Sequence, residues 1–152
     1  MTARGRIAVE LASTAAAIPS PRSIRQWVRA ALGEEHAGAE LCVRIVDEPE
    51  MRALNGRYRG RDYATNVLSF RAELPAGVDV PLLGDIVVCA PVAAREAAEQ
   101  HKAARAHWAH LLVHGTLHLL GLDHERAREA TRMEALETRI LAALNFPDPY
   151  RT

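Results

Sequence analysis

The stretch from His107 to Leu120, HWAHLLVHGTLHLL, leaves a folded chain little choice about where to put it. Read as a helix, it is apolar nearly all round, and such a helix belongs inside a core. It nevertheless carries histidines, and a buried polar ring costs free energy unless something satisfies it. His114 and His118 stand one turn apart on the same face, where two imidazoles can point at one ion. Gly121 is a good terminator and lets the chain turn, so that His124 can return toward the same point. The spacing is H-x3-H-x5-H, with a glycine at the seventh residue after the first histidine. That is the ligand spacing of the metzincin pattern H-E-x-x-H-x-x-G-x-x-H. Three histidine ligands leave a fourth position open, the arrangement of a catalytic zinc site. Nickel, cobalt and copper also suit three imidazoles.

One residue departs from the peptidase pattern. The glutamate that serves peptidases as general base follows the first histidine, and here Gly115 stands in its place. The spacing therefore predicts a hydrolytic metal site without a protease's base. His107 is two turns from His114, too far to share its ion. His110 reads either as an ordinary helix histidine or as support behind a ligand. Asp123 reads either as a partner of a ligand imidazole or as the N-cap of the last helix.

At 152 residues and 49% hydrophobic content, the chain fits one folded domain over 1–152 and excludes global disorder. No apolar run reaches the ~18 residues of a spanning helix. Met1 to Glu10 is charged and lacks the apolar stretch of a signal peptide, so the expectation is a cytoplasmic protein with no membrane partner. Cys42 and Cys89 lie in apolar stretches without a CxxC or disulfide pattern. They read as buried core in a reducing compartment.

Acidic and basic residues balance at 19 each, which excludes a global polybasic footprint. Lys102 is the sole lysine, the other basic residues being arginine. The excess reads either as compositional bias or as phosphate recognition by guanidinium, and placement has to decide. The segment Asn55 to Tyr63, NGRYRGRDY, interleaves arginines with tyrosines, a mixture that suits phosphates and unpaired bases as well as an ordinary exposed turn. Beside a metal site without a protease base, it points to a phosphodiester substrate. Hydrolysis there needs a Lewis acid, a water nucleophile and a cation for developing charge.

The periodicity predicts a strand over Arg6–Ser13, with Ile7, Val9 and Leu11 on one face. A helix opens at Ser20-Pro21 and stops at Gly33. Strands follow at Leu41–Val46, Val67–Phe70 and Asp85–Cys89. Asp47 to Glu50 resembles a capping box before a short helix with Met51 and Leu54, which yields to an arginine-rich turn over Asn55–Asp62. Leu74–Pro81 reads as a loop. Val92–Leu120 reads as two helices with no Gly or Pro marking the break. A last helix over about Glu125–Leu144 places Met133, Leu136, Ile140 and Leu144 at helical spacing. Strands before helices favour an α+β domain with a small sheet covered by helices.

HGTLHLLGLDHE (His114 to Glu125) resembles the signature of the bacterial YbeY endoribonucleases. LNGRYRGRDYATNVLSF (Leu54 to Phe70), LLGDIVVCAPV (Leu82 to Val92) and the Met133–Glu134 region are similar in the same order, over roughly residues 40 to 145. Leu122 stands where an aromatic is frequent. The resemblance implies a zincin-like single domain, with a mixed four-stranded sheet and a central metal-binding helix. It implies a zinc-dependent endoribonuclease specific for single strands, acting in ribosomal RNA maturation at the 3′ end of the small-subunit RNA and in ribosome quality control. One zinc ion would be held by His114, His118 and His124, and Arg59 would act at the phosphate. Arg57, Arg61 and Ser69, on the same stretch, are candidate substrate contacts. The implied partners are single-stranded or ribosomal RNA, the ribosome and its assembly factors; DNA is not expected. A metallopeptidase-like hydrolase and a non-catalytic assembly factor with a structural metal are the alternatives.

Overall fold

The computed structural model describes residues 4–122 and 126–151. Its sheet contains β1 (Ile7–Ala12), β2 (Glu40–Val46), β3 (Val67–Arg71) and β4 (Leu82–Cys89) in the order β1-β2-β4-β3. β1 and β4 both run parallel to β2, whereas β3 is antiparallel to β4, so the sheet is mixed. Alternation along β2 buries Leu41, Val43 and Ile45 on one face and leaves Cys42 and Arg44 half-buried on the other. β4 lies centrally and buries Ile86 through Cys89 without alternation, as a strand covered on both sides must. Five α-helices are present among the described residues: α1 (Pro21–Leu32), α2 (Glu48–Arg59), α3 (Ala90–Glu99), α4 (Ala104–Leu119) and α5 (Ala127–Ala143). The chain is thus α+β.

α4 forms the middle of the molecule. It packs against α1, α3, α5, β3 and β4, and Trp108, Leu111, Leu112, Val113 and Leu117 are buried around its circumference. The larger core joins α4 to α1 and one face of the sheet, and a smaller core of Val46, Met51, Leu68, Val87, Cys89 and Val92 lies under α2 on the other face. No helix of the described residues is long and apolar enough to cross a membrane.

Several local expectations need correction. Leu11 is exposed rather than sharing a buried face with Ile7, because β1 is an edge strand whose end leaves the core. Cys42 is half-buried, on the open face of the sheet. β4 begins at Leu82, ahead of Asp85. Asp47 precedes α2 without a side-chain cap, because its carboxylate accepts hydrogen bonds from Ser13 and Thr14 instead. Asn55 to Arg59 is not a turn. α2 continues through it and stops at Gly60, whose φ of 66° is left-handed, a conformation glycine adopts at little cost. The break between α3 and α4 falls at residues 100–103, where His101 takes a φ of 55° without being glycine. The last helix begins at Ala127; Glu125 lies outside the described residues.

Candidate functional site

α4 ends as its sequence predicts. Gly121, with φ of 100°, donates its N–H to the His118 carbonyl, and Leu122 donates to Leu117. This paired closure satisfies carbonyls that a helix end leaves open and holds the last turn, with His118 on it, in shape. One turn earlier is His114, its ring centroid 4.6 Å from that of His118. His124 and Asp123 lie outside the described residues, and among the described residues no group of three or more metal-binding side chains forms.

The residue behind the histidines is Glu137, on α5. Its side chain is 0% exposed, and its Oε1 accepts a hydrogen bond from His114 Nδ1 at 2.7 Å. His110 Nε2 lies 3.4 Å from the same oxygen, and the Tyr150 hydroxyl donates to Oε2. Burial pushes the carboxyl up, but the hydrogen bonds from His110, His114 and Tyr150 outweigh it and bring its pKa down to about 2. Burial and the adjoining Glu137 carboxylate both push the Tyr150 hydroxyl upward. Glu137 is therefore an ionised group in the interior, tolerable only because its oxygens are hydrogen-bonded. Two imidazoles on successive turns, one oriented by a carboxylate, make a nitrogen donor set that fits a zinc-like ion.

Glu137 escapes the reading of α5 through Met133, Leu136, Ile140 and Leu144. The fully buried stripe is Met133, Glu137 and Leu141, at i, i+4 and i+8. A glutamate inside such a stripe requires a buried partner, and that signal could have found it. Tyr150 had no local signal; only the tertiary fold brings it to Glu137 and to within 3.2 Å of His110 Nε2. His110 thus has Glu137 and Tyr150 as partners, contacts compatible with both readings of it.

A cleft of about 570 Å³ brings Arg59, Ser69, His110, His114, His118 and Tyr150 onto common walls. Arg59 reaches it from the end of α2. Ser69 lies on β3 and donates its hydroxyl to the Gly115 carbonyl at 2.9 Å, so its proton ties β3 to α4. Arg57 and Arg61 are exposed and lie outside the cleft lining; Arg57 packs near the Tyr58 ring, and Arg61 donates to the Tyr63 hydroxyl. Farther along, His107 Nε2 meets Glu96 Oε1 at 2.9 Å, and Asn66 donates to the same carboxylate at 3.0 Å. Burial pushes the Glu96 carboxyl up, yet these two hydrogen bonds hold it below the ordinary carboxylate range.

The structure also explains Gly115. A Cβ there would lie 3.0 Å from Ile86 Cγ2, 3.2 Å from Ser69 Oγ and 3.4 Å from Val67 Cγ2. This position faces the sheet, so a glutamate in the peptidase position would run into β3 and β4. The metallopeptidase alternative loses its base on steric grounds as well as by sequence.

A family model described as Endoribonuclease YbeY matches residues 10–145. The protein named Endoribonuclease YbeY from Xanthomonas axonopodis pv. citri (strain 306) is 60% identical over 148 residues, covering 95% of this chain and 92% of that relative. Its namesake from Cellvibrio japonicus (strain Ueda107) is 56% identical over 146 residues, covering 95% and 82%. A solution structure of a Thermotoga maritima protein matches with a TM-score of 0.55 and 24% identity, over 97% of this chain and 100% of that one. That likeness concerns the fold.

Proposed function

The chain belongs to the Endoribonuclease YbeY family, and on that premise we propose a zinc-dependent endoribonuclease built on a zincin-like domain over 1–152. Family membership makes the chain a hydrolase acting on RNA. The finer assignment is to single-stranded RNA, in maturation of the small-subunit ribosomal RNA at its 3′ end and in ribosome quality control. The observation supporting the chemistry is the cleft that joins an arginine to two histidines on successive turns of a buried helix.

In this reading His114 and His118, on α4, hold one zinc ion together with His124. When bound, the ion supplies Lewis-acid polarisation and water activation. Arg59 projects from the end of α2, holds the scissile phosphate and offsets charge developing in the transition state. The Ser69–Gly115 tie keeps β3 against α4 and so fixes the distance between the two walls. Arg57 and Arg61, outside the cleft, contact the approaching strand. A balanced net charge leaves affinity to the ribosome and its assembly factors, and a shallow salt dependence on naked RNA is the signature.

The test incubates zinc-loaded protein with an end-labelled single-stranded RNA, beside identically purified His118→Ala. Cleavage by the wild type alone supports the reading. Equal cleavage by both proteins removes His118, and with it the metal site, from the reaction.

A further inference from the structure

The metal-site reading gives no role to the contact between Glu137, a wholly buried carboxylate behind the cleft, and Tyr150 on the cleft wall. We propose that Glu137, clamped by Tyr150 from the C-terminal segment, is the positioning residue that keeps the proton of His114 on Nδ1 and presents Nε2 to the ion. The inference rests on the assignment of His114 and His118 as ligands.

The geometry carries it in three steps. Glu137 is wholly buried, so its oxygens have little recourse to water and their partners must be protein groups. Oε1 lies 2.7 Å from His114 Nδ1, a charge-assisted hydrogen-bond distance. A carboxylate without a proton can only accept, which places the imidazole proton on Nδ1. Tyr150 fills the other oxygen, and the segment carrying it is pinned by Lys102, which donates to the Pro149 carbonyl. The carboxylate is thus held from both sides. The sole lysine of the chain acts here, on the backbone beside the cleft.

A purely structural role for Glu137 would leave the tautomer of His114 and the zinc affinity of a folded variant unchanged. The experiment reads both. Nitrogen-15 NMR of the metal-free wild type is expected to show His114 as the Nδ1–H tautomer; finding the Nε2–H tautomer overturns the proposal without any variant. Chelator competition is then used to measure zinc affinity in wild type, Glu137→Gln, Tyr150→Phe and His118→Ala, each checked for a cooperative melt. Glu137→Gln is expected to weaken zinc by about 10- to 100-fold, with a smaller loss for Tyr150→Phe. Affinity of Glu137→Gln within about twofold of wild type, while His118→Ala loses zinc, overturns the positioning role and leaves the ligand assignment standing. Unchanged affinity in His118→Ala overturns the ligand assignment itself, and the positioning role falls with it.

Discussion

Gly115 offers a prediction in which two opposing effects can be weighed. Replacing a mid-helix glycine by alanine ordinarily stabilises a helix by about 1 kcal/mol. Here the new Cβ meets Ile86 Cγ2 and Ser69 Oγ at 3.0 and 3.2 Å, both tighter than relaxed packing, and Val67 Cγ2 at 3.4 Å. Overpacking of this kind costs about 1–3 kcal/mol. Relief would require a neighbour to move. Ile86 is fully buried in the central strand, and the Ser69 hydroxyl is tied to the Gly115 carbonyl. The cost therefore falls in the upper part of its range, and Gly115→Ala is expected to destabilise by roughly 1–2 kcal/mol after the propensity gain. For a domain of this size that lowers the melting temperature by about 2–8 °C. Thermal unfolding of the metal-free protein, followed by far-UV circular dichroism, is the assay. A melting temperature equal to or above wild type would mean that α4 is not seated this closely on β3 and β4. The account of the missing peptidase glutamate would then fail too.

Two further outcomes follow from the cleft. Arg59→Ala is expected to lower RNA turnover about 10²- to 10³-fold with zinc content unchanged, and Arg57→Ala or Arg61→Ala to cost much less; unaltered turnover in the first variant removes Arg59 from the mechanism. Glu96 is held below its ordinary value of 4.5 by His107 and Asn66, so its contribution to stability is complete above that pH and is lost as pH falls through the folded value. Glu96→Gln should cost about 1–3 kcal/mol at neutral pH and flatten the acid limb of a stability-versus-pH curve, and an unchanged limb counts against the pairing.

What the sequence makes legible here is what short-range rules govern. The apolar circumference of α4, its glycine stop and the one-turn spacing of His114 and His118 follow from helical periodicity and from the backbone freedom of Gly121. The mixed α+β character follows from the order of strand and helix patterns. Legibility fails where a distant contact overrides a local preference. Asp47 has the chemistry of a helix cap and is drawn away by Ser13 and Thr14. Asn55 to Arg59 has the composition of a turn, yet it stays helical while Met51 and Asn55 are buried, Asn55 also donating to the Tyr63 carbonyl. Glu137 is the deepest omission, because a charged residue ordinarily marks the solvent side of a helix. Only its placement between Met133 and Leu141 reveals that it points inward.

The cleft draws Arg59 from α2, Ser69 from β3, the histidines from α4 and Tyr150 from beyond α5. No short fragment of the chain assembles these groups, so the proposed chemistry is conditional on nearly the whole fold. During synthesis His114 and His118 are made before Glu137 and Tyr150, and a chain paused between them carries these histidines without the carboxylate that faces one of them. On the proposed assignment, such a chain acquires its complete site only once α5 and the segment after it have been made.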